Sequence, residues 1–228
     1  MHAPFARVWK AIEAWALPAA CLGCGLHAPI QPGLCGLCRD ELRPASPDAL
    51  PELAAKAVTL YAAFDYEPFA GALLTRYKFG EDLAAGRALS QLASEVWREA
   101  PRPDALVPIP LHRERLRQRG HDQALGLARD AARALQLPLA HRVLHRTRHT
   151  TPQTQLDASG RRRNLLDAFC ADQPCPAHVV LIDDVVTTGS TLSAAAEALR
   201  QAGAVRIDAW VVARASARAP NAMTPAMR

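Results

Sequence analysis

Apolar residues recur along this chain with two different periods, and the switching between them predicts its architecture. Val58, Leu60, Ala62 and Phe64 alternate with their neighbours as in a strand with one covered face. Leu89, Leu92, Ala93, Val96 and Trp97 fall on one side of a helix, and Ala124, Ala128, Ala131 and Leu135 do so further on. Between these two patterns Ala105 to Ile109 is a short apolar run ended by Pro110. Val179 to Ile182 has no polar alternation at all, as expected of a strand covered on both faces in a parallel sheet. Leu192, Ala195, Ala196 and Leu199 follow at helical spacing, and Gly203 stands where that helix should stop. Val205 to Ala213 supplies a last strand. Strands alternating with helices imply an α/β fold with a doubly wound parallel sheet.

The segment RPASPDALPEL, residues 43–53, is Pro-rich and marks a boundary. It separates a small N-terminal unit (residues 1–50) from the α/β domain (51–215), and a tail rich in Ala, Pro and Arg (216–228) is expected to be disordered. Within the first unit Val8, Ile12 and Trp15 share one helical face, while Lys10 and Glu13 interrupt what a secretory leader would keep apolar. No run approaches a membrane span, so a cytoplasmic protein without membrane insertion is expected.

Cysteine usage adds a second unit of structure. Cys21-x-x-Cys24 and Cys35-x-x-Cys38 are separated by ten residues, with Gly23, Gly25, Gly33 and Gly36 beside them. Four clustered thiols in a cytosolic chain suggest one tetrahedral Zn²⁺ held by Cys21, Cys24, Cys35 and Cys38, with disulfides as the alternative. A shell filled by four cysteines has no open position, so the zinc would be structural. Cys170 and Cys175 lie far away and read as small residues near a turn.

Charge is concentrated rather than spread. Residues 111–163 hold twelve arginines against four acids, more than the whole net charge of +5. Such a block either surrounds anions or is a solvated face.

The stretch VVLIDDVVTTGST, Val179 to Thr191, carries the most specific chemistry. It reads strand, loop, helix, and in such a unit loop amides and the helix N-terminus converge on an anion that Gly189 lets the chain approach. No G-x-x-x-x-G-K-[ST] occurs, which argues against a P-loop nucleotidase. GCGLHA at residues 23–28 fits a dinucleotide fingerprint only on paper, because no strand precedes it. Asp183 and Asp184 ahead of a phosphate loop suit vicinal hydroxyls beside a phosphate, as in a ribose 5-phosphate. A buried strand capped by two acids is the alternative reading.

This stretch closely resembles the phosphoribosyl pyrophosphate signature of type I phosphoribosyltransferases. The resemblance implies that Asp183 and Asp184 meet the ribose hydroxyls as the catalytic acids, that Thr187, Thr188, Gly189, Ser190 and Thr191 wrap the 5-phosphate, and that Val185 and Val186 between them are substrate-binding too. From Cys21 to Arg214 the chain is similar to the ComF family, a phosphoribosyltransferase-fold group with an N-terminal cysteine knuckle. The markers are YKF at residues 77–79, VPIPL at 107–111, RQRGHDQA at 117–124 and RRRNLLDAF at 161–169. His121 and Asp122 stand where relatives usually have phenylalanine and asparagine. The resemblance further implies that Pro110, Leu111, His112 and Arg113 touch pyrophosphate, with Arg115, Arg117 and Arg119 nearby. It also implies a mobile hood over residues 146–164, which contains Arg161 and Asn164.

In the activity so implied, a nucleophile displaces pyrophosphate from C1 of the ribose, with Mg²⁺ bridging diphosphate and ribose oxygens. Two other readings stand beside this pentosyltransferase. The family link to natural competence and DNA uptake suggests a protein that handles single-stranded DNA with the competence machinery, although 5% aromatic residues leave few rings for stacking. A sensor of the same ligand without catalysis is the third.

Overall fold

The computed structural model describes residues 20–26, 33–47, 49–79, 82–146, 168–172 and 174–215. The expected N-terminal helix and the tail from residue 216 lie outside them. In chain order the elements begin with two short helices, α1 (Gly36–Asp40) and α2 (Pro51–Ala54), then strand β1 (Thr59–Asp65). Helices α3 (Pro68–Phe79) and α4 (Leu83–Trp97) lead to β2 (Ala105–Pro108), and α5 (Arg113–Arg119) and α6 (Gln123–Leu135) lead to β3 (Leu144–Arg146). After β4 (Phe169–Ala171) come β5 (His178–Val186), α7 (Ser190–Gln201) and β6 (Arg206–Arg214).

Four strands form a parallel sheet in the order β1-β6-β5-β2. The aliphatic run of β5 makes it an inner strand, and its alternate residues feed two separate cores, as the two-residue period of a strand requires. Val180 and Ile182 join Leu73, Leu74, Leu89, Leu92 and Leu127 from α3, α4 and α6. Val179 and Leu181 join Leu53, Leu192 and Leu199 from α2 and α7, with Leu144 and Phe169 from the β3–β4 ribbon. Helices therefore cover both faces, and the doubly wound α/β fold expected from the sequence is the one observed.

Local signals set the helix ends. The Asp82 carboxylate accepts from Ala85 N at 3.0 Å at the start of α4, and Asp122 accepts from Leu125 N at 2.9 Å at the start of α6. Helix α5 ends on Gly120 at φ 72°, a backbone conformation that suits glycine. This helix did not show in the hydrophobic pattern, because six of its seven residues are polar and only Leu116 is apolar. The antiparallel β3–β4 ribbon escaped it too, being three residues long on each side.

The cysteine-bearing segment packs on the same core. Cys21, Leu34, Cys38 and Leu42 belong to the cluster that contains Leu73 and Leu89. Arg39 pairs with Glu95 of α4, and Arg76 of α3 donates to the carbonyl of Leu22. Residues 43–45 then run beside β1, with Asp65 N donating to Arg43 O at 2.9 Å and Ala45 N to Ala63 O at 3.2 Å.

Tyr77 of α3 is 3% exposed and inserts between α4 and α6, where its hydroxyl donates to Gln123 O at 2.9 Å. Gly86 and Gly126 make room for it: a Cβ on Gly86 would lie 2.4 Å from Tyr77 Cε2, and one on Gly126 2.3 Å from its hydroxyl oxygen. Alanine normally stabilises a helix interior by about 1 kcal/mol over glycine. Here the clash outweighs that gain, and Gly86→Ala should lower stability by roughly 1–3 kcal/mol, as overpacking does. Urea denaturation of the full chain measures it, and a gain in stability would show that the ring moves aside without penalty.

Candidate functional site

The carboxyl ends of parallel strands are where ligands bind in open α/β sheets, and β5 ends here in two acids. Alternation along the strand sends them to opposite faces. Asp184, 9% exposed, lies on the face of α3, where Lys78 Nζ meets its Oδ1 at 3.0 Å. Asp183 Oδ1 accepts from the Asp184 amide at 2.9 Å. Burial first, and then the Asp184 charge beside it, push the Asp183 carboxyl up to about 7. Lys78 pairs with Asp184 rather than with Asp183, and a carboxyl so placed favours ligand groups that donate hydrogen bonds to it.

Beyond β5 the chain turns through Thr187 and Thr188 to Gly189, whose φ of 88° is left-handed, and α7 begins at the next residue. Thr188 Oγ1 lies 3.1 Å from Ser190 Oγ and accepts from Ser190 N at 3.4 Å. The turn is held from below as well, since a Cβ on Gly189 would come within 2.8 Å of Leu53 Cγ on α2. Above it opens a cavity of about 280 Å³, lined by Lys78, Arg115, Asp183, Val185, Val186, Thr187, Gly189 and the first residues of α7, Ser190 to Leu192. Two cations, one acid and the N-terminus of a twelve-residue helix thus face one space, an arrangement suited to a ligand carrying both phosphate and hydroxyl groups.

The turn after β2 is tied down separately. Ile109 N donates to Ile182 O at 2.9 Å, and Leu111 N donates to Asp122 Oδ2 at 3.3 Å. His112 caps α5, its Nδ1 accepting from Glu114 N at 3.3 Å. Pro110, Leu111 and His112 are not among the residues lining the cavity, and Arg113 opens α5. Arg115, one turn into α5, does line it. At the end of β3, Arg146 lies over the Phe169 ring, 5.3 Å from its centroid. Burial and then the Arg115 charge lower its guanidinium, against the pull of Asp183, so Arg146 shares the field of this site. Arg161 and Asn164 lie outside the described residues.

Sequence reasoning did not single out Lys78. It appeared only inside the YKF marker, and the one signal was a lysine between two aromatic residues at a helix end. Asp122, at a position where the family pattern differs, has a plain structural task. One of its oxygens caps α6 while the other holds the turn after β2.

Near the N-terminus the ligand atoms of Cys21, Cys24, Cys35 and Cys38 lie within 4.8 Å of one another. The Cys24 and Cys35 sulfurs are 3.8 Å apart. A tetrahedral zinc with about 2.3 Å bonds to sulfur needs edges of about 3.8 Å, so the spacing fits. The amides of Gly23 and Cys35 point at Cys21 Sγ from 3.4 and 3.2 Å. Burial raises the Cys21 thiol, but these amide donors outweigh it and bring it down to about 6. Burial and the neighbouring thiols push Cys38 up to about 12. Four thiol ligands at this spacing could hold one metal ion in a closed tetrahedral shell.

Comparison with known proteins agrees with this fold. The phosphoribosyl transferase domain family matches residues 121–226. Competence protein F of Haemophilus influenzae is 37% identical over 153 residues, covering 63% of this chain and 67% of that protein. DNA utilization protein YhgH of Escherichia coli K12 is 32% identical over 201 residues, 85% of this chain and 83% of its own. The chain belongs to the ComF family. A further ComF relative, competence protein ComFC of Streptococcus pneumoniae, is 28% identical over 154 residues, 67% of each chain. As a ComF protein it has a phosphoribosyltransferase-like domain, and among the described residues no helix is long and apolar enough to cross a membrane.

The raised Asp183 carboxyl has a consequence for stability. A carboxyl that keeps its proton in the folded state up to about 7, but loses it near 4 when unfolded, makes stability fall as pH rises through that window. Asp183→Asn removes the effect. The variant should be more stable than the parent by roughly 1–3 kcal/mol at pH 8, with the difference vanishing below about pH 4. Urea titrations across that range check it, and a pH-independent difference would show that Asp183 is ionised in the free protein.

Proposed function

We propose that this ComF protein binds phosphoribosyl pyrophosphate, or a nucleotide built on ribose 5-phosphate, together with Mg²⁺ at the end of β5, and transfers the phosphoribosyl group with release of pyrophosphate. The observation that carries this reading is the convergence on one cavity of Asp183, the left-handed turn at Gly189, the start of α7, Lys78 and Arg115. Asp183 and Asp184 accept hydrogen bonds from the ribose hydroxyls, and the amides of Thr187 to Thr191 hold the 5-phosphate against the helix N-terminus.

In the free protein Lys78 neutralises Asp184. In the complex it sits between that acid and the incoming phosphates, and so keeps the acid pair from repelling them. Arg115 and Arg146 take charge from pyrophosphate as its bond to C1 breaks and the nucleophile adds, and a closed hood excludes water from the activated sugar. Mg²⁺, a hard cation suited to carboxylate and phosphate oxygens, supplies further positive charge to the leaving group when bound. The cysteine cluster holds a structural zinc through Cys21, Cys24, Cys35 and Cys38.

A second reading rests on the names of the relatives, a competence protein and a DNA utilization protein. In that reading the same fold serves DNA uptake, with single-stranded DNA or the competence machinery as partner, and the ligand site regulates rather than reacts. Pyrophosphate release, assayed with phosphoribosyl pyrophosphate, Mg²⁺ and a panel of bases and amines, separates the two. Release with any acceptor supports transfer. Salt-sensitive oligonucleotide binding without release supports the second reading.

Replacing both acids, Asp183→Ala with Asp184→Ala, should weaken phosphoribosyl pyrophosphate binding by several kcal/mol at most, because charge-assisted hydrogen bonds are worth roughly 1.5–3 kcal/mol each. Calorimetric titration of the folded double variant reads this, and unchanged affinity would place the ligand elsewhere. Elemental analysis of protein purified without added metal should give one zinc per chain, falling to none when Cys24 and Cys35 are both replaced by Ser. A folded, fully reduced parent free of zinc would remove the metal from the account.

A further inference from the structure

Phe79 is the last residue of α3 and is 69% exposed, an unusual place for an aromatic ring in a chain with so few. It is not bare on both faces. The guanidinium of Arg119 lies 5.0 Å from the ring centroid, and this stack is built rather than incidental. Arg119 Nη1 donates to Gln123 Oε1 at 3.1 Å. Gln123 is 2% exposed, and its Nε2 donates in turn to His121 O at 3.2 Å.

Two independent segments tie this stack to the acid-lined cavity. Lys78, immediately before Phe79, lines the cavity and pairs with Asp184. Arg115, which also lines it, precedes Arg119 by four residues on α5, so the two side chains share one face of that helix. A flat apolar ring backed by a planar cation therefore adjoins the place where a ribose 5-phosphate would sit.

We propose that Phe79 and Arg119 form the seat of a nucleobase whose ribose 5-phosphate lies at Asp183, Asp184 and Thr187 to Thr191, a step that rests on the function proposed above and names its substrate class. The chemistry fits a base better than an amine. A heteroaromatic ring stacks on the face of Phe79 that Arg119 leaves open, whatever its sequence identity, and the guanidinium on the opposite face holds the phenyl ring in place. The base can belong to a mononucleotide or to a nucleotide within a single strand, since both offer the same face.

The test compares ligands that differ only by the base. The full chain, Phe79→Ala and Phe79→Trp are titrated calorimetrically with ribose 5-phosphate, AMP and UMP in the presence of Mg²⁺, with thermal melts confirming that each variant is folded. The parent should bind AMP and UMP about tenfold or more tightly than ribose 5-phosphate, the usual scale of one base–aromatic stack. Phe79→Ala should lose that advantage while keeping its affinity for ribose 5-phosphate, and Phe79→Trp should retain it. Arg119→Gln should lose part of it. Mononucleotides no tighter than ribose 5-phosphate, or an advantage that survives Phe79→Ala, would overturn the seat.

Absence of ribose 5-phosphate binding in every variant is a different failure, that of the phosphoribosyl reading itself. An oligodeoxynucleotide without a 5′-phosphate then decides the seat alone: binding lost in Phe79→Ala supports it, and binding unaffected by Phe79→Ala overturns it. Where both ligands bind, oligonucleotide affinity that depends on Phe79 and ignores ribose 5-phosphate assigns the base to a strand. Competition between them assigns it to the mononucleotide.

Discussion

Two adjacent carboxylates at the end of a strand buried on both faces are difficult to keep charged, and much of the surrounding structure answers to that difficulty. The aliphatic residues that make β5 an inner strand also leave Asp184 buried and Asp183 half-buried. Proteins offset such burial with a nearby cation, with amide donors or by holding a proton. All three appear here: Lys78 reaches Asp184, the Asp184 amide serves Asp183, and Asp183 is pushed toward neutrality. A pair left partly uncompensated in this way is poised for a ligand that brings its own hydrogen-bond donors and cations.

That constraint passes outward through the helices. Lys78 is placed by α3, and α3 is fixed by Tyr77, whose ring needs Gly86 and Gly126 to fit between α4 and α6. Two residues earlier, Arg76 of the same helix donates to Leu22, inside the cysteine knuckle. The cysteine cluster, the helix that supplies the lysine and the acid pair are thus parts of one packed body.

The sequence disclosed these features unevenly, for physical reasons. Strands β1, β2, β5 and β6 and helices α4, α6 and α7 were legible because burial imposes a period of two or of 3.6 on apolar residues. Helix α5 was not, since six of its seven residues are polar and leave no apolar period. The acid pair and the Thr187 to Thr191 loop could be recognised because their residues are contiguous in the chain. Lys78 could not, because its meaning lies in a contact with Asp184, far along the sequence. The four cysteines announced themselves by spacing alone, whereas the role of Asp122 became readable only when its two oxygens were seen to serve two different segments.

The contact between Gly189 and Leu53 reaches further than the turn it supports. Leu53 belongs to the Pro-rich approach to the sheet, Gly189 to the loop facing the cavity, and there is no space between them for an added methyl group. The two positions are therefore not free to drift independently. A lineage that enlarges the residue at 189 must first shorten the one at 53, and even then must tolerate a left-handed backbone. What looks like a spacer between two units is in this respect inherited together with the ligand loop, and grafting the α/β core onto another N-terminal segment would have to carry Leu53 with it.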